Sequence, residues 1–175
     1  MFSPRELDLE RGWPGRIDGD RVIQLAAQTL QSFFSGGGHA REHADYPLAD
    51  VVLLAPVLHP PSVRIFDGDG EFRFANPAAI VAADADVTPP GASRLEPVPR
   101  RAAIVGAEGA IGGFTDLVEW TAPDLPGEKS RDFALALGPV VTTPGDGVPE
   151  GVNWERLIAH AAQNTRLLPG DVIAR

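Results

Sequence analysis

The spacing of hydrophobic and polar residues along this 175-residue chain changes several times, which predicts short helices and strands. Residues 16–23 alternate around Asp18-Gly19, which indicates a β-hairpin. Residues 25–34 then carry apolar side chains at helical spacing and end in a run of three glycines, which predicts a helix. Residues 36–47 are polar and are interpreted as a linker. The start of the chain is therefore predicted to be a small hairpin-helix module.

Short apolar segments separated by turn residues dominate the rest of the chain. Trp154, Leu157 and Ala161 share one face of a predicted helix that Asn153 caps. The 19 glycines and 17 prolines favour strands and turns over long helices. A mostly β fold of the α+β type follows, with the module at residues 1–47 and a core domain at residues 48–175. Strands are predicted at residues 51–55, buried on both faces, and at residues 63–66, 71–74, 78–83, 102–106 and 171–173, with Asp67-Gly68-Asp69-Gly70 as a hairpin turn.

Composition and charge exclude several classes of function. The formal charge of -9, with no Lys/Arg run longer than Arg100-Arg101, disfavours nucleic acid as a partner, because phosphate recognition needs a concentrated cationic surface. The chain has no cysteine, so it has neither disulfides nor a thiolate metal site. Its first residues are too polar for a signal peptide, and no apolar run approaches the length of a membrane span. We expect a cytoplasmic protein without a membrane partner.

Several short motifs occur in an order that resembles the fumarylacetoacetate hydrolase family. The resemblance implies a mixed β-sheet roll or barrel core with few short helices, here shortened at its C-terminus because the family continues beyond the position of Arg175. The motifs are Asn76-Pro77-Ala78-Ala79-Ile80, Val87-Thr88-Pro89-Pro90-Gly91, Glu119-Trp120-Thr121-Ala122-Pro123-Asp124, Lys129-Ser130-Arg131-Asp132-Phe133, Leu137-Gly138-Pro139 and Leu168-Pro169-Gly170-Asp171-Val172-Ile173.

The resemblance implies a metal site that has changed in this chain. The family holds a divalent cation with two glutamates of a Glu-x-Glu motif and a third acidic residue. An alignment back from Gly106 places Val98 and Arg100 at the two glutamates, and Glu119 falls at the third ligand, the acidic residue before the family's Trp-Ser-Ala-Arg-Asp motif. One carboxylate rarely holds such an ion alone, and Arg100 would pair with Glu119 instead. We therefore expect no resident cofactor, and at most weak Mg²⁺ or Mn²⁺ binding at Glu119.

The family's lysine aligns with Arg131, and Lys129 lies two residues before it. Arginine keeps the positive charge that a substrate carboxylate needs, but it stays protonated and cannot act as a general base. The family also has a histidine-containing segment that orders a hydrolytic water, whereas residues 65–73 here form only a short hairpin without histidine. The resemblance thus implies binding at Arg131 more readily than proton abstraction.

Three hypotheses remain open. The chain is a degenerate or non-catalytic homologue kept for assembly or ligand binding, which fits the residues best; this includes a homodimer or pairing with a longer relative. Alternatively it is a metal-dependent hydrolase or lyase of 2-oxo or β-dicarbonyl acids, as the resemblance implies. In the third hypothesis it is a metal-free catalyst or a small-carboxylic-acid-binding protein. There, Glu119 and Arg131 are the catalytic candidates, and Arg100, Lys129 and Arg131 bind substrate.

Two other patterns suggest chemistry but have weaker support. His39 and His43 have the spacing of zinc ligands on a helix, yet they lie in the polar segment without a clear third ligand. Residues 102–113 form an apolar segment followed by glycines, but the spacing is not that of a dinucleotide-binding turn. We interpret these glycines as a tight connection.

Overall fold

The computed structural model describes residues 1–68, 70–88, 91 and 94–175, and the fold is mostly β, as predicted. Two helices are present in these ranges, α1 at Leu30–Ser35 and α2 at Trp154–Ala161. The strands are β1 Phe2–Pro4, β2 Gly15–Asp18, β3 Arg21–Leu25, β4 Glu42–Pro47, β5 Val51–Leu53, β6 Val63–Phe66, β7 Phe72–Ala75, β8 Ile80–Ala82, β9 Glu96–Val105, β10 Ile111–Thr121, β11 Leu135–Leu137 and β12 Val172–Ala174.

A mixed seven-stranded sheet in the order β7-β6-β12-β9-β10-β11-β8 forms the core of the molecule. The β12–β6 and β11–β8 pairs are parallel and the other pairs are antiparallel. β12 lies inside the sheet, and β7 and β8 are its edges. The sheet curls into a half-barrel whose inner face packs apolar side chains such as Ile65, Ile104 and Leu117 against α1. α2 covers part of the outer face through Trp154 and Leu157.

β9 and β10 form the long hairpin that carries most of the candidate site. They pair in register from Ala103 opposite Phe114 to Glu96 opposite Thr121. Gly106 donates its N–H to the Ala110 carbonyl at 2.6 Å, which closes the short connection between them. The glycine-rich segment thus joins two antiparallel strands, as interpreted above, and no helix follows it as a dinucleotide site requires.

The predicted hairpin at residues 16–23 is confirmed by β2 and β3, but two other predictions for this region are wrong. The helix begins at Leu30 and not at residue 25, because β3 extends to Leu25 and Thr29 caps the helix by accepting from the Ser32 N–H. The polar segment that we interpreted as a linker contains β4, the third strand of a separate sheet in the order β2-β3-β4.

Other predicted elements differ mainly in their boundaries. The strand predicted at residues 51–55 is β5, which pairs with β1 outside the main sheet. A 3₁₀ turn at Pro77–Ala79 precedes β8, and β9 starts six residues before the predicted strand at residue 102. α2, with its Asn153 cap, is confirmed. Asp69 of the predicted hairpin turn and Pro89-Pro90 of one motif lie outside the described residues.

The division of the chain after residue 47 stays a prediction. None of the helices in the described ranges is long and apolar enough to cross a membrane.

Candidate functional site

Four charged residues meet at one end of the half-barrel, and the two-residue period of the strands explains how. On β10, Glu119 lies on the same face as Leu117, which packs in the inner core. Arg100 on β9 lies opposite Leu117 and faces the same way. Arg73 on β7 lies opposite Ile65, another inner-core residue, and Asp67 directly follows β6. We call Asp67, Arg73, Arg100 and Glu119 the charged cluster.

The Glu119 carboxylate is held by an arginine on each side. Its side chain is 1% exposed. Arg100 Nε donates to Oε2 at 3.0 Å, and Arg100 Nη2 lies 2.9 Å from the same oxygen. Arg73 Nη2 donates to Oε1. The predicted ion pair between Arg100 and Glu119 is therefore present, and a second arginine completes it.

Asp67 connects the two arginines at the more exposed side of the cluster. Arg100 Nη2 donates to Asp67 Oδ1 at 2.6 Å, and Arg73 Nε lies 3.5 Å from Oδ2. Burial raises the pKa of Asp67, but the hydrogen bond and charge of Arg100, with the charge of Arg73, outweigh it and hold the pKa below its ordinary value. With two cations and two anions, the cluster is balanced in charge.

This arrangement does not fit the divalent cation that the resemblance implies. Val98 lies opposite Glu119 on β9 and has no donor atom, while the guanidinium groups of Arg73 and Arg100 occupy the space around both Glu119 oxygens. Within the described ranges no three His, Asp or Glu side chains come close enough to hold a metal. An octahedral hard cation needs more oxygen ligands than Glu119 supplies.

Arg131 and Lys129, the other candidates from the sequence, lie at a 3₁₀ turn that precedes β11. Lys129 is 78% exposed and pairs with Asp132 at 2.5 Å across a 3₁₀ turn. Arg131 ends that turn and is half-buried. Asn76 Nδ2 donates to the Asp132 carbonyl at 2.9 Å, so two of the family-like motifs do meet here. The substrate-binding roles of Arg131 and Lys129 stay predictions.

Arg73, like Asp67, is a member of the cluster that the sequence did not reveal. It lies between Phe72 and Phe74 on β7. The two aromatic side chains suggest that their own face of the strand is buried in the core and that Arg73 faces solvent. Those two rings instead lie on the outer face, with their centroids 5.5 and 5.4 Å from the Arg64 guanidinium carbon. The pairing of Arg73 with Ile65 across the hairpin was the available signal.

The structure does not support the zinc alternative at His39 and His43. His43 lies in β4 and His39 lies in the loop before it, so the helical spacing that suggested two ligands on one face does not apply.

Solved structures share this architecture over most of their length. Fumarylacetoacetate hydrolase from Exiguobacterium antarcticum superposes with a TM-score of 0.75 and 20% identity, over 94% of this chain and 82% of that chain. The chain has the fumarylacetoacetate hydrolase fold. Maleylpyruvate hydrolase from Sphingobium sp. SYK-6, in complex with manganese(II) and pyruvate, superposes with a TM-score of 0.73 and 18% identity, over 94% of this chain and 85% of that chain. For 2-keto-3-deoxy-D-arabinonate dehydratase with magnesium and 2,5-dioxopentanoate, the TM-score is 0.70 and the identity 17%, over 99% of this chain and 85% of that chain.

The sequence itself matches no protein-family model and no curated protein. The fumarylacetoacetate hydrolase fold is thus established by structure, at identities no higher than 20% for these three proteins. Those proteins include hydrolases and a dehydratase, and two of the structures contain a divalent metal. The charged cluster distinguishes this chain from a carboxylate site of the kind that the resemblance implied.

Proposed function

We propose that this chain is a non-catalytic, metal-independent protein with the fumarylacetoacetate hydrolase fold. The observation that carries the proposal is that both oxygens of Glu119 accept hydrogen bonds from arginines, Arg100 on one side and Arg73 on the other. In this proposal the charge that a cation supplies in an acidic site comes from the protein itself. The cluster then serves to hold β7, β9 and β10 together.

Electrostatics argue against a cation at this position. The Arg100 side chain is 11% exposed and that of Arg73 is 21% exposed, so both charges are largely removed from water. A divalent ion at Glu119 would displace them from their partner and then repel them. Removal of one partner from a buried pair costs about 3 to 5 kcal/mol, which a single carboxylate contact with the ion does not offset.

Neither the arginines of the cluster nor Glu119 is well suited to proton transfer. Arginine remains protonated at all ordinary pH values and is therefore no general base. Both Glu119 oxygens are engaged by cations, so this carboxylate is poorly placed to accept a proton from a substrate. These points favour a structural role over metal-free catalysis.

Metal binding and turnover test the proposal together. Purified protein would be dialysed against chelator, then titrated with MgCl₂ and MnCl₂ by calorimetry, and assayed with oxaloacetate and an acylpyruvate. We expect neither stoichiometric binding nor metal-dependent turnover. Metal that survives dialysis at one equivalent, with turnover that depends on it, would overturn the proposal.

One observation favours a second function, the binding of a small carboxylic acid. Arg73 Nη1 is inaccessible to solvent and has no hydrogen-bond partner among the described residues. A buried donor without an acceptor is costly, and a carboxylate oxygen would satisfy it. Calorimetry with pyruvate would test this function. Arg73→Lys should abolish the heat of binding, whereas Arg101→Lys, at an exposed ion pair, should leave it unchanged.

A further inference from the structure

An apolar cavity of the protein lies far from the charged cluster. It has a volume of about 450 Å³ and lies between the β2-β3-β4 sheet, α1 and the segment that follows β11. Its apolar wall includes Val22, Phe34 and Val141. The Phe34 ring packs on Gly112 at the start of β10, seven residues before Glu119, or roughly 23 Å along an extended strand. The cavity and the cluster are therefore separate places.

The walls of the cavity are fixed by the fold. Val22 is 1% exposed and Phe34 is 5% exposed, each packed in a different hydrophobic core. The wall formed by the segment after β11 is held in place by two backbone hydrogen bonds of 2.8 Å, one in each direction, between Phe114 and Thr142. A volume in this range, with apolar walls and a polar rim, is typical of sites for small organic molecules.

The charges at the rim indicate which molecules fit. Arg16 donates to Glu42 at 2.6 Å and to Asp18 at 3.1 Å, so its charge is already matched. Asp146, also at the rim, accepts a hydrogen bond of 2.5 Å from the Thr143 hydroxyl, a neutral group that leaves the carboxylate charge unmatched. Burial lowers the pKa of the Met1 amino group to about 6, so at pH 7 this lining group is mostly uncharged. The rim is left net negative.

We propose that this cavity binds an uncharged or cationic small molecule with an apolar body. The apolar body would contact Val22, Phe34 and Val141, and a polar end would lie at the rim near Asp146. The net charge of -9 on the whole chain adds to the discrimination against anions. This selectivity is the opposite of that expected for a carboxylic-acid site, so the inference does not depend on the function proposed for the charged cluster.

Two fluorescent probes with the same aromatic body test the proposal. N-phenyl-1-naphthylamine is uncharged, and 8-anilino-1-naphthalenesulfonate carries a negative charge. We expect saturable binding of the uncharged probe at one site, and binding of the sulfonate weaker by about tenfold or more. Absence of saturable binding of the uncharged probe to the folded protein, or tighter binding of the sulfonate, would overturn the proposal.

Variants locate the binding in the cavity. Val141→Phe should fill part of the cavity and weaken binding of the uncharged probe by about tenfold. The control is Val148→Phe, at a 55% exposed valine outside the cavity, which should leave the affinity for the uncharged probe unchanged. Circular dichroism would show that both variants fold. Asp146→Lys, at an exposed position, should strengthen binding of the sulfonate relative to the uncharged probe even if Val141→Phe does not fold. Equal effects of the two valine substitutions, or no change with Asp146→Lys, would contradict the proposal.

Discussion

Arg73 and Glu119 contact each other although three strands separate β7 from β10 in the sheet. Four strand spacings in a flat sheet amount to about 19 Å, farther than these two side chains reach together. The contact is possible only because the sheet curls and brings its inner face together. Curvature and charge pairing therefore support each other at this end of the half-barrel.

Removal of Arg73 should destabilise the protein more than removal of an exposed arginine. In Arg73→Ala, one oxygen of the buried Glu119 carboxylate loses its donor, and we expect a loss of about 3 kcal/mol in the free energy of unfolding. The matched control is Arg101→Ala, because the Arg101–Asp116 pair is exposed and should change stability by about 0.5 kcal/mol or less. Urea denaturation measures both. Equal losses would show that Arg73 is not a structural partner of Glu119.

The pKa of Asp67 predicts how stability responds to acid. Its folded-state pKa lies below the ordinary value of 3.8, so the folded protein binds this proton less readily than the unfolded chain does. Asp67 therefore contributes stability that is fully present above pH 3.8 and is lost as the pH falls through the lower folded-state value. Thermal unfolding between about pH 5 and about pH 2 should show this loss, and Asp67→Asn should reduce its slope. An unchanged slope in the variant would contradict the role of Asp67.

Local signals predicted much of the fold. The β2–β3 and β6–β7 hairpins and α2 each have a turn or a cap beside a clear period, and all three form as expected. The first half of β9 was missed because Pro97 and Pro99 disfavour a strand. The Arg101 N–H points toward β12 and donates to the Arg175 carbonyl. Pro97 and Pro99 alternate with it, so their nitrogens face the same side of β9, but at positions beyond the end of β12. The missing N–H groups of the two prolines therefore cost no hydrogen bond within the sheet. β4 was missed because only Ala44 and Tyr46 mark its apolar face, and the other four residues are exposed.

The candidate site was predicted only where residues are close in the hairpin of β9 and β10. Arg100 and Glu119 lie on neighbouring strands in one register, so an alignment was enough to suggest their contact. Arg73 reaches Glu119 from 46 residues away in sequence, through the curvature of the whole sheet. No local period in the sequence contains that information. The roles of Lys129 and Arg131 stay predictions.

The β7 edge is where we expect self-association. β7 is a terminal strand of the sheet, and Phe74 on it is 63% exposed. An open edge with an exposed aromatic side chain favours pairing with a second copy. Light scattering should detect a dimer that Phe74→Lys weakens, whereas Leu168→Lys, at another exposed apolar residue, should not affect it. A stable monomer at high concentration would rule this edge out as an interface.

A metal site should become possible once the arginines are replaced by carboxylates. Val98→Glu and Arg100→Glu together place three carboxylates on the inner faces of β9 and β10, and a divalent ion would relieve their mutual repulsion. Arg73 still holds one oxygen of Glu119, so we expect clear binding only when Arg73→Gln is added. The triple variant should be destabilised without metal and gain thermal stability as Mg²⁺ or Mn²⁺ is added, whereas Val98→Glu alone should show no gain.

The comparison with Val98→Glu matters because an added surface carboxylate alone could attract a cation weakly. Binding that depends on all three substitutions would show that the charges of Arg73 and Arg100 keep a cation away from Glu119, which is the physical basis of the proposed function. If the triple variant folds, as judged by circular dichroism, and yet gains no stability from either metal, then Val98 and Arg100 do not occupy ligand positions. The alignment back from Gly106 would then be wrong, and the metal pocket assigned from it together with Glu119 would be wrong as well.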